Sequence, residues 1–322
     1  MKASRVLVTG ATGFVGKALC KKLLADGWPV VGTFRTGCSE NKLPVGIEKI
    51  KITSIGPSTN WQEALNGIDT VIHLAARVHA LGDTAADAIT EFRRVNVAGT
   101  KHLAQTAASM GVRRFIYMSS VKVNGEGNSV TYTEKDRPMP ADPYAISKYE
   151  AEQILQEIIK KTGLNVVVLR PPLVYGPHVK ANFLQLLKVV DMGIPLPFAN
   201  VRNQRSFIFL ENLLDAIITC IHHPKAARKT YLLSDGIDTS TPELIQKTAS
   251  ALGRPVRLFP FSLNLLRLLA KISGRSEAVN RLLNSLAIDS SRISTELDWT
   301  PRFTMAEGLA ETAAWYLKAV RK

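Results

Sequence analysis

With 322 residues, 46% of them apolar, the chain is long enough for one large core or a core with a smaller lobe, and it is neither disordered nor fibrous. No run reaches the ~18–20 uninterrupted apolar residues of a membrane-spanning helix, and MKASRVLVTG enters a strand pattern without the apolar stretch of a secretory signal. The formal charge of +14 is spread along the chain without a basic tail or a nucleic-acid module, so it points to phosphate-bearing small molecules and not to nucleic acid. Cys20, Cys38 and Cys220 are scattered without CxxC spacing, which reads as free thiols in a reducing cytoplasm. None of the six histidines sits in an HExxH arrangement, so no metal is expected.

In chain order, RVLVTG (5–10) reads as a buried strand and FVGKALCKKLLADG (14–27) as an amphipathic helix stopped by Gly27. PVVGTFR (29–35) and IEKIKI (47–52) are strands, NWQEALNG (60–67) is helical and TVIHLAA (70–76) is a strand. A long helix over 88–111 precedes the strand RFIYMSS (114–120); a helix over 143–163 leads to the strand NVVVLRPPLVYG (165–176). Strand–helix alternation with continuous apolar strands predicts an α/β fold, a Rossmann-type doubly wound parallel sheet covered on both faces. After about residue 177 proline-interrupted loops such as GIPLPFANVRNQRS (193–206) separate helices and short strands. The expected division is a nucleotide-binding domain over 1–176 and a smaller C-terminal substrate lobe over 177–322, partly interleaved with it. The apolar segment 261–286, with interspersed Arg and Lys, reads as a packing helix pair with a basic outer face; the alternative is a membrane-surface helix and peripheral membrane association.

TGATGFVG (9–16) joins the first strand to the first helix. Gly10 permits the tight turn, Gly13 removes a Cβ where backbone approaches a pyrophosphate, and Gly16 lets helix and sheet pack closely. The N–H groups of Phe14 and Val15 would face the phosphates, with Thr12 in the same turn. A carboxylate about twenty residues on would hold the ribose 2′-hydroxyl of NAD. Here Phe34 occupies that place and Arg35 follows, a residue suited to a 2′-phosphate, so NADP(H) is expected over NAD(H).

Tyr144 and Lys148 lie one helical turn apart, with Ser119 and Ser120 upstream. TGxxGxxG, HLAA (73–76), NVAGT (96–100), the serine pair, YxxxK and RPPLVYGP (170–177) occur in that order. This pattern resembles the extended short-chain dehydrogenases/reductases, in their nucleotide-sugar epimerase/dehydratase branch. The resemblance runs on through RSFIFLENLLDA (205–216) and LDWTPRFTMAEGL (297–309). It implies that Tyr144 is the proton donor and acceptor, that Lys148 lowers its pKa and holds the nicotinamide ribose, and that Ser120 positions the reacting oxygen. It further implies Leu74, Ala75 and Ala76 along the cofactor, Ser54 and Ile55 near the adenine, and Pro171 and Leu173 at the nicotinamide end. Asn182 and Arg205 match positions that hold the substrate diphosphate, and Phe198 would lie against the base. Each has a plainer reading: a helix cap for Asn182, a surface cation for Arg205 and a core ring for Phe198.

The departures narrow the chemistry. Ser54 stands where the family has an acid against adenine, and Leu173 replaces an asparagine. The 4,6-dehydratases carry an Asp-Glu pair after the serine/threonine position; here Val121 and Lys122 stand there, and valine transfers no proton. The run 73–87, SSVKVNGE and the basic apolar C-terminal stretch look similar to bacterial UDP-N-acetylquinovosamine dehydrogenases. That implies NAD(P)H-dependent 4-keto reduction of a UDP-2-acetamido-2,6-dideoxy-4-hexulose to UDP-N-acetyl-quinovosamine, or its C4 epimer, for surface polysaccharide. The alternative is a UDP-hexose or UDP-HexNAc 4-epimerase that retains NAD, and a more distant one is an idle NADP-binding sensor. A homodimer through the helices around 88–111 and 143–163 is expected by the same resemblance.

Overall fold

The computed structural model of the chain describes residues 4–78, 85–274 and 276–321. The first half follows the alternation read from the sequence: β1 (Val6–Thr9), α1 (Phe14–Ala25), β2 (Val30–Arg35), β3 (Glu48–Ile52), α2 (Gln62–Leu65) and β4 (Thr70–His73). Then come α3 (Ala85–Phe92), α4 (Gly99–Ser109), β5 (Arg114–Met118), α5 (Pro143–Thr162), β6 (Asn165–Arg170) and β7 (Leu173–Tyr175). The second half holds α6 (Ala181–Asp191), β8 (Phe207–Phe209), α7 (Leu210–His222), β9 (Lys229–Leu232), α8 (Thr241–Ala251), α9 (Leu263–Ile272), α10 (Ser276–Leu283), α11 (Ser291–Leu297) and α12 (Met305–Ala319). Of the run 73–87, residues 79–84 lie outside the described residues.

Seven strands form one parallel sheet in the order β3-β2-β1-β4-β5-β6-β9. Because side chains alternate across a strand, Val6 and Val8 point to one face and Leu7 to the other. The first face packs on Leu19 and Leu23 of α1 and on Leu213, Leu214 and Ile217 of α7. The second packs on Leu103 of α4 and on Leu155 and Ile158 of α5. A sheet covered on both faces needs apolar residues at every position, which is why these strands read as continuous runs.

Two elements differ from the sequence reading. The strand expected over 165–176 is two strands: Pro171 and Pro172 have no N–H for a ladder, so β7 leaves the main sheet and pairs with β8. The helix expected over 88–111 is broken by a π-helical stretch, Arg93–Ala98, a widened turn often found where a side chain must be re-aimed. It turns Asn96 inward: its Oδ1 accepts from the Arg77 N–H at 2.8 Å, and its Nδ2 donates to the Arg77 carbonyl and to Ser147 Oγ, both at 3.0 Å. The backbone after β4 is thereby fixed against α5.

His73, at the end of β4, is fully buried between Thr9 and Thr100, with ring nitrogens 2.7 and 2.9 Å from their hydroxyl oxygens. Burial, and then the nearby Lys148 ammonium, push its pKa down to about 3. In the unfolded chain the ring takes up a proton near pH ~6.5. Stability contributed by the neutral ring is therefore complete above that pH and is lost as pH falls towards the folded value. We expect the thermal midpoint to drop from about pH 7 to about pH 5, with a shallower drop in His73→Gln; equal slopes in calorimetry would count against this assignment.

Candidate functional site

The turn from β1 into α1 is shaped by backbone packed on backbone. Gly10 sits at φ +72°, and a Cβ there would lie 2.8 Å from the Ala75 nitrogen. A Cβ on Gly16 would stand 2.2 Å from the Gly10 carbonyl oxygen. Gly13 begins α1 with no side-chain capping bond, and the first turn carries no carboxylate. The first N–H groups of that helix therefore keep their partial positive charge for an anion.

A cavity of about 570 Å³ opens over this turn. Gly10, Thr12, Gly13, Phe14, Val15 and Gly16 line it from the turn, Arg35, Ser54 and Ile55 from the ends of β2 and β3, and Leu74, Ala75 and Ala76 from the segment after β4. These are cofactor-side residues expected from the sequence. Phe34 lines the cavity too and is buried in the core, whereas Arg35 is exposed. Arg77 and Arg94 were not anticipated, yet both line it. Arg94 pairs with Glu91 at 3.0 Å, and its guanidinium lies 3.2 Å from where a Gly56 Cβ would be, beside the position of the missing acid. The signal for Arg94 in the sequence was its place just before NVAGT.

Pro171 and Leu173 are not among the residues lining this cavity. Pro171 is buried, and its carbonyl accepts from the Val121 N–H at 3.0 Å, which sets it beside Ser120. Leu173 is half-buried against the core. Ser120 follows β5 and accepts from the Lys122 N–H at 3.2 Å.

Tyr144 and Lys148 project from the first two turns of α5, whose start is fixed by Asp142: its Oδ1 accepts from the Ala145 N–H at 2.6 Å. Lys122 binds the other oxygen of Asp142 and pairs with Glu126 at 2.8 Å. The residue standing where dehydratases keep an acid therefore clamps the tyrosine's helix. Lys148 is 2% exposed, donates to the Met118 carbonyl at 2.7 Å and lies 4.7 Å from the Tyr117 ring centre and 5.8 Å from that of Tyr144. One turn further on, Glu152 accepts from Ser119 Oγ and forms a buried, two-pronged pair with Arg170, at 3.0 and 2.5 Å. Arg170 also donates to Asn124 Oδ1 at 3.0 Å. Sequence reasoning missed Glu152 and Arg170; a carboxylate at the next turn after YxxxK was the available signal.

The ammonium together with a positively charged nicotinamide is expected to make the phenol acidic; the protein's own groups act in the other direction. Burial, and then the Asp142 carboxylate, raise the Tyr144 pKa well above the usual tyrosine value. Burial brings Lys148 down to about 7, with Glu152 opposing that fall. Lys148 loses nearly all of its hydration and the half-buried Tyr144 part of it, so each charged form is penalised.

The expected substrate residues are less concentrated. Asn182 is exposed at the start of α6, and Phe198 is half-buried, with one side against the main core. Arg205 is half-buried and donates to the Asn284 carbonyl at 2.9 Å; burial and Arg281 lower its pKa to about 10. Among the described residues no group of His, Cys, Asp and Glu is placed to hold a metal, and no helix is long and apolar enough to cross a membrane.

Known proteins match this architecture. Residues 6–233 fit the model of the "NAD dependent epimerase/dehydratase family". The chain is 41% identical over 318 residues to the UDP-glucose 4-epimerase of Vibrio cholerae, covering 98% of this chain and 96% of that one. The crystal structure of UDP-glucuronic acid 4-epimerase from Bacillus cereus in complex with NAD superposes with a TM-score of 0.79 at 22% identity, over 99% of this chain and 100% of the other. UDP-glucose 4-epimerase with UDP-glucose from Thermotoga maritima gives 0.76 at 22%, over 98% and 99%.

We expect Gly16→Ala to displace the Gly10 carbonyl and to weaken dinucleotide binding by at least about tenfold in calorimetric titration, while Gly27→Ala, beyond α1, leaves it unchanged. Unaltered binding by Gly16→Ala would mean that the turn does not hold the ligand. With its parallel sheet, its glycine turn and its likeness across nearly the whole length, the chain belongs to the NAD dependent epimerase/dehydratase family.

Proposed function

We propose that this enzyme is a UDP-sugar 4-epimerase working with NAD. The observation that carries the reading is the 41% identity, over almost the full length of both chains, to the Vibrio cholerae UDP-glucose 4-epimerase. Reduction of a 4-keto sugar with NADPH, expected from Arg35 and Leu173, has less support, because the family is described as NAD dependent. Val121 and Lys122 speak against dehydration, since neither supplies the carboxyl acid and base of that elimination.

The residues present fit a dinucleotide: a backbone cradle that a Cβ would fill, an uncapped helix N-terminus, and guanidinium groups along the cavity. Gly10, Gly13 and Gly16 with the N–H groups of Phe14 and Val15 would hold its pyrophosphate. Arg35, Ser54 and Ile55 would hold the adenosine side, Leu74, Ala75 and Ala76 the middle, and Pro171 and Leu173 the far end. Bound there, the nicotinamide supplies a reversible hydride acceptor.

The protein's own groups manage the proton. Tyr144 takes the proton of the sugar's C4 hydroxyl as C4 is oxidised, and returns it to the oxygen once the keto sugar presents its other face. Lys148, hung from the Met118 carbonyl, supplies positive charge beside the phenol when protonated. Ser120 hydrogen-bonds the reacting oxygen, and its position follows from Ser119, which Glu152 anchors. Arg205 and Asn182 would take the diphosphate, and Phe198 the uracil.

The test is incubation of the enzyme as purified with UDP-galactose and with UDP-N-acetylgalactosamine, without added cofactor. We expect interconversion with the gluco sugars, and a loss of turnover of about a thousandfold in Tyr144→Phe with bound dinucleotide unchanged. Stoichiometric oxidation of added NADPH by a UDP-4-keto-6-deoxy-HexNAc, with no interconversion, would replace this reading by the reductase.

A further inference from the structure

The two helices of segment 261–286 do pack on each other, but the outer face of α9 is apolar where a basic one was expected. In α9 only Ala270 is buried, while Leu265, Leu268, Leu269 and Ile272 are 44, 53, 48 and 76% exposed. Those four fall at i, i+3, i+4 and i+7, so they form one stripe along the side of the helix that faces water. Leu263, Leu266 and Ala270 make the opposite, inward stripe. The helix thus has two apolar faces, and the fold uses one.

What covers the second face is indicated by charge. Within 263–272 the ionisable residues are Arg267 and Lys271, both exposed, and there is no carboxylate. The acid of α10, Glu277, is paired with Arg281 at 2.7 Å. At about 100° per residue both cations lie on one flank of the leucine stripe, Lys271 nearer to it and Arg267 further round, so a second copy would gain no charge pairing across this face. An anionic surface would meet them with opposite charge while the leucines enter its apolar layer, the long Arg and Lys stems reaching back to the headgroups. The apolar exposure continues beyond the helix. Phe259 and Val256 are exposed on the segment that pairs with Leu196, and Ile194 is exposed beside it.

We propose that α9 is a docking helix that lies flat on an anionic lipid bilayer. Its place in the fold gives the docking a direction. The segment before it hydrogen-bonds the 196–200 loop, with Leu196 donating to the Arg257 carbonyl at 2.8 Å, and α10 leads to Asn284, whose carbonyl binds Arg205. The segments flanking the helix are therefore hydrogen-bonded to the part of the chain that carries Phe198 and Arg205. The inference rests on exposure and charge, and it stands whichever reaction the cleft performs.

The test uses the full chain in vesicle co-sedimentation, with phosphatidylglycerol/phosphatidylethanolamine vesicles against phosphatidylcholine alone, at low and high salt. We expect binding to the anionic vesicles that weakens in salt and falls on the order of tenfold in the combined Leu265→Gln, Leu268→Gln, Leu269→Gln and Ile272→Gln variant. Because these side chains already face water, the variant should keep its thermal midpoint. Arg267→Gln with Lys271→Gln should lose the preference for anionic lipid. The proposal is overturned if wild type ignores both vesicles, if the glutamine variant binds as well as wild type, or if that variant only dissociates a dimer in sedimentation velocity.

Discussion

The arrangement depends on keeping a lysine dry. Lys148 is almost wholly buried, held by the Met118 carbonyl at 2.7 Å, with the Tyr117 ring face at 4.7 Å. An ammonium there has given up most of its hydration, and a carbonyl and a ring face replace only part of it. Glu152, one turn along α5, is the compensating charge, and the fold anchors it with Ser119 and Arg170. The end of β5, the end of β6 and one face of α5 are thereby joined in a single buried polar network. If its carboxylate were lost, Arg170 would be left as a buried charge without its partner, a costly state. The serine strand, the tyrosine helix and the Arg170–Pro171 turn therefore hold one geometry.

The same network explains why sheet order and site coincide. β1, β4, β5 and β6 are consecutive neighbours, so their C-terminal ends deliver the glycine turn, the 74–77 segment, the serine pair and Pro171 side by side. That is where open α/β sheets bind ligands. Asn96 and Lys122 act from the flanks: one fixes the backbone of Arg77 against Ser147, the other ties the loop after Ser120 to the first residue before α5. Neither touches the expected cofactor turn, yet both decide where the groups around it stand.

Much of the fold was legible because a two-face-covered strand and an amphipathic helix have different periods, and β1 through α5 show both plainly. The glycine turn and the Tyr144–Lys148 pair were legible as spacing. What was not legible depends on partners distant in sequence. The π-helical turn at Arg93–Ala98 satisfies Asn96 through Arg77 and Ser147, contacts that a local pattern does not contain. The sequence indicated that Lys148 sits beside Tyr144 but not that burial dominates both, since burial is a property of the whole fold. The outward stripe of α9 was hidden for a related reason. A helix apolar on two sides does not say which side its own protein takes, and the basic residues between the leucines suited a packed pair as well as a bilayer.

The central claim is that the cleft itself keeps the Tyr144 phenol protonated, so that positive charge must be brought to it before it serves as a base. Ultraviolet titration of phenolate, taken as the difference between wild type and Tyr144→Phe, measures this directly on protein stripped of dinucleotide and again with NAD⁺ added. The account predicts no phenolate from Tyr144 below about pH 10 in the stripped protein, and titration at distinctly lower pH once NAD⁺ is bound. A phenolate signal near neutral pH in the stripped protein, or a titration that NAD⁺ leaves in place, would contradict it.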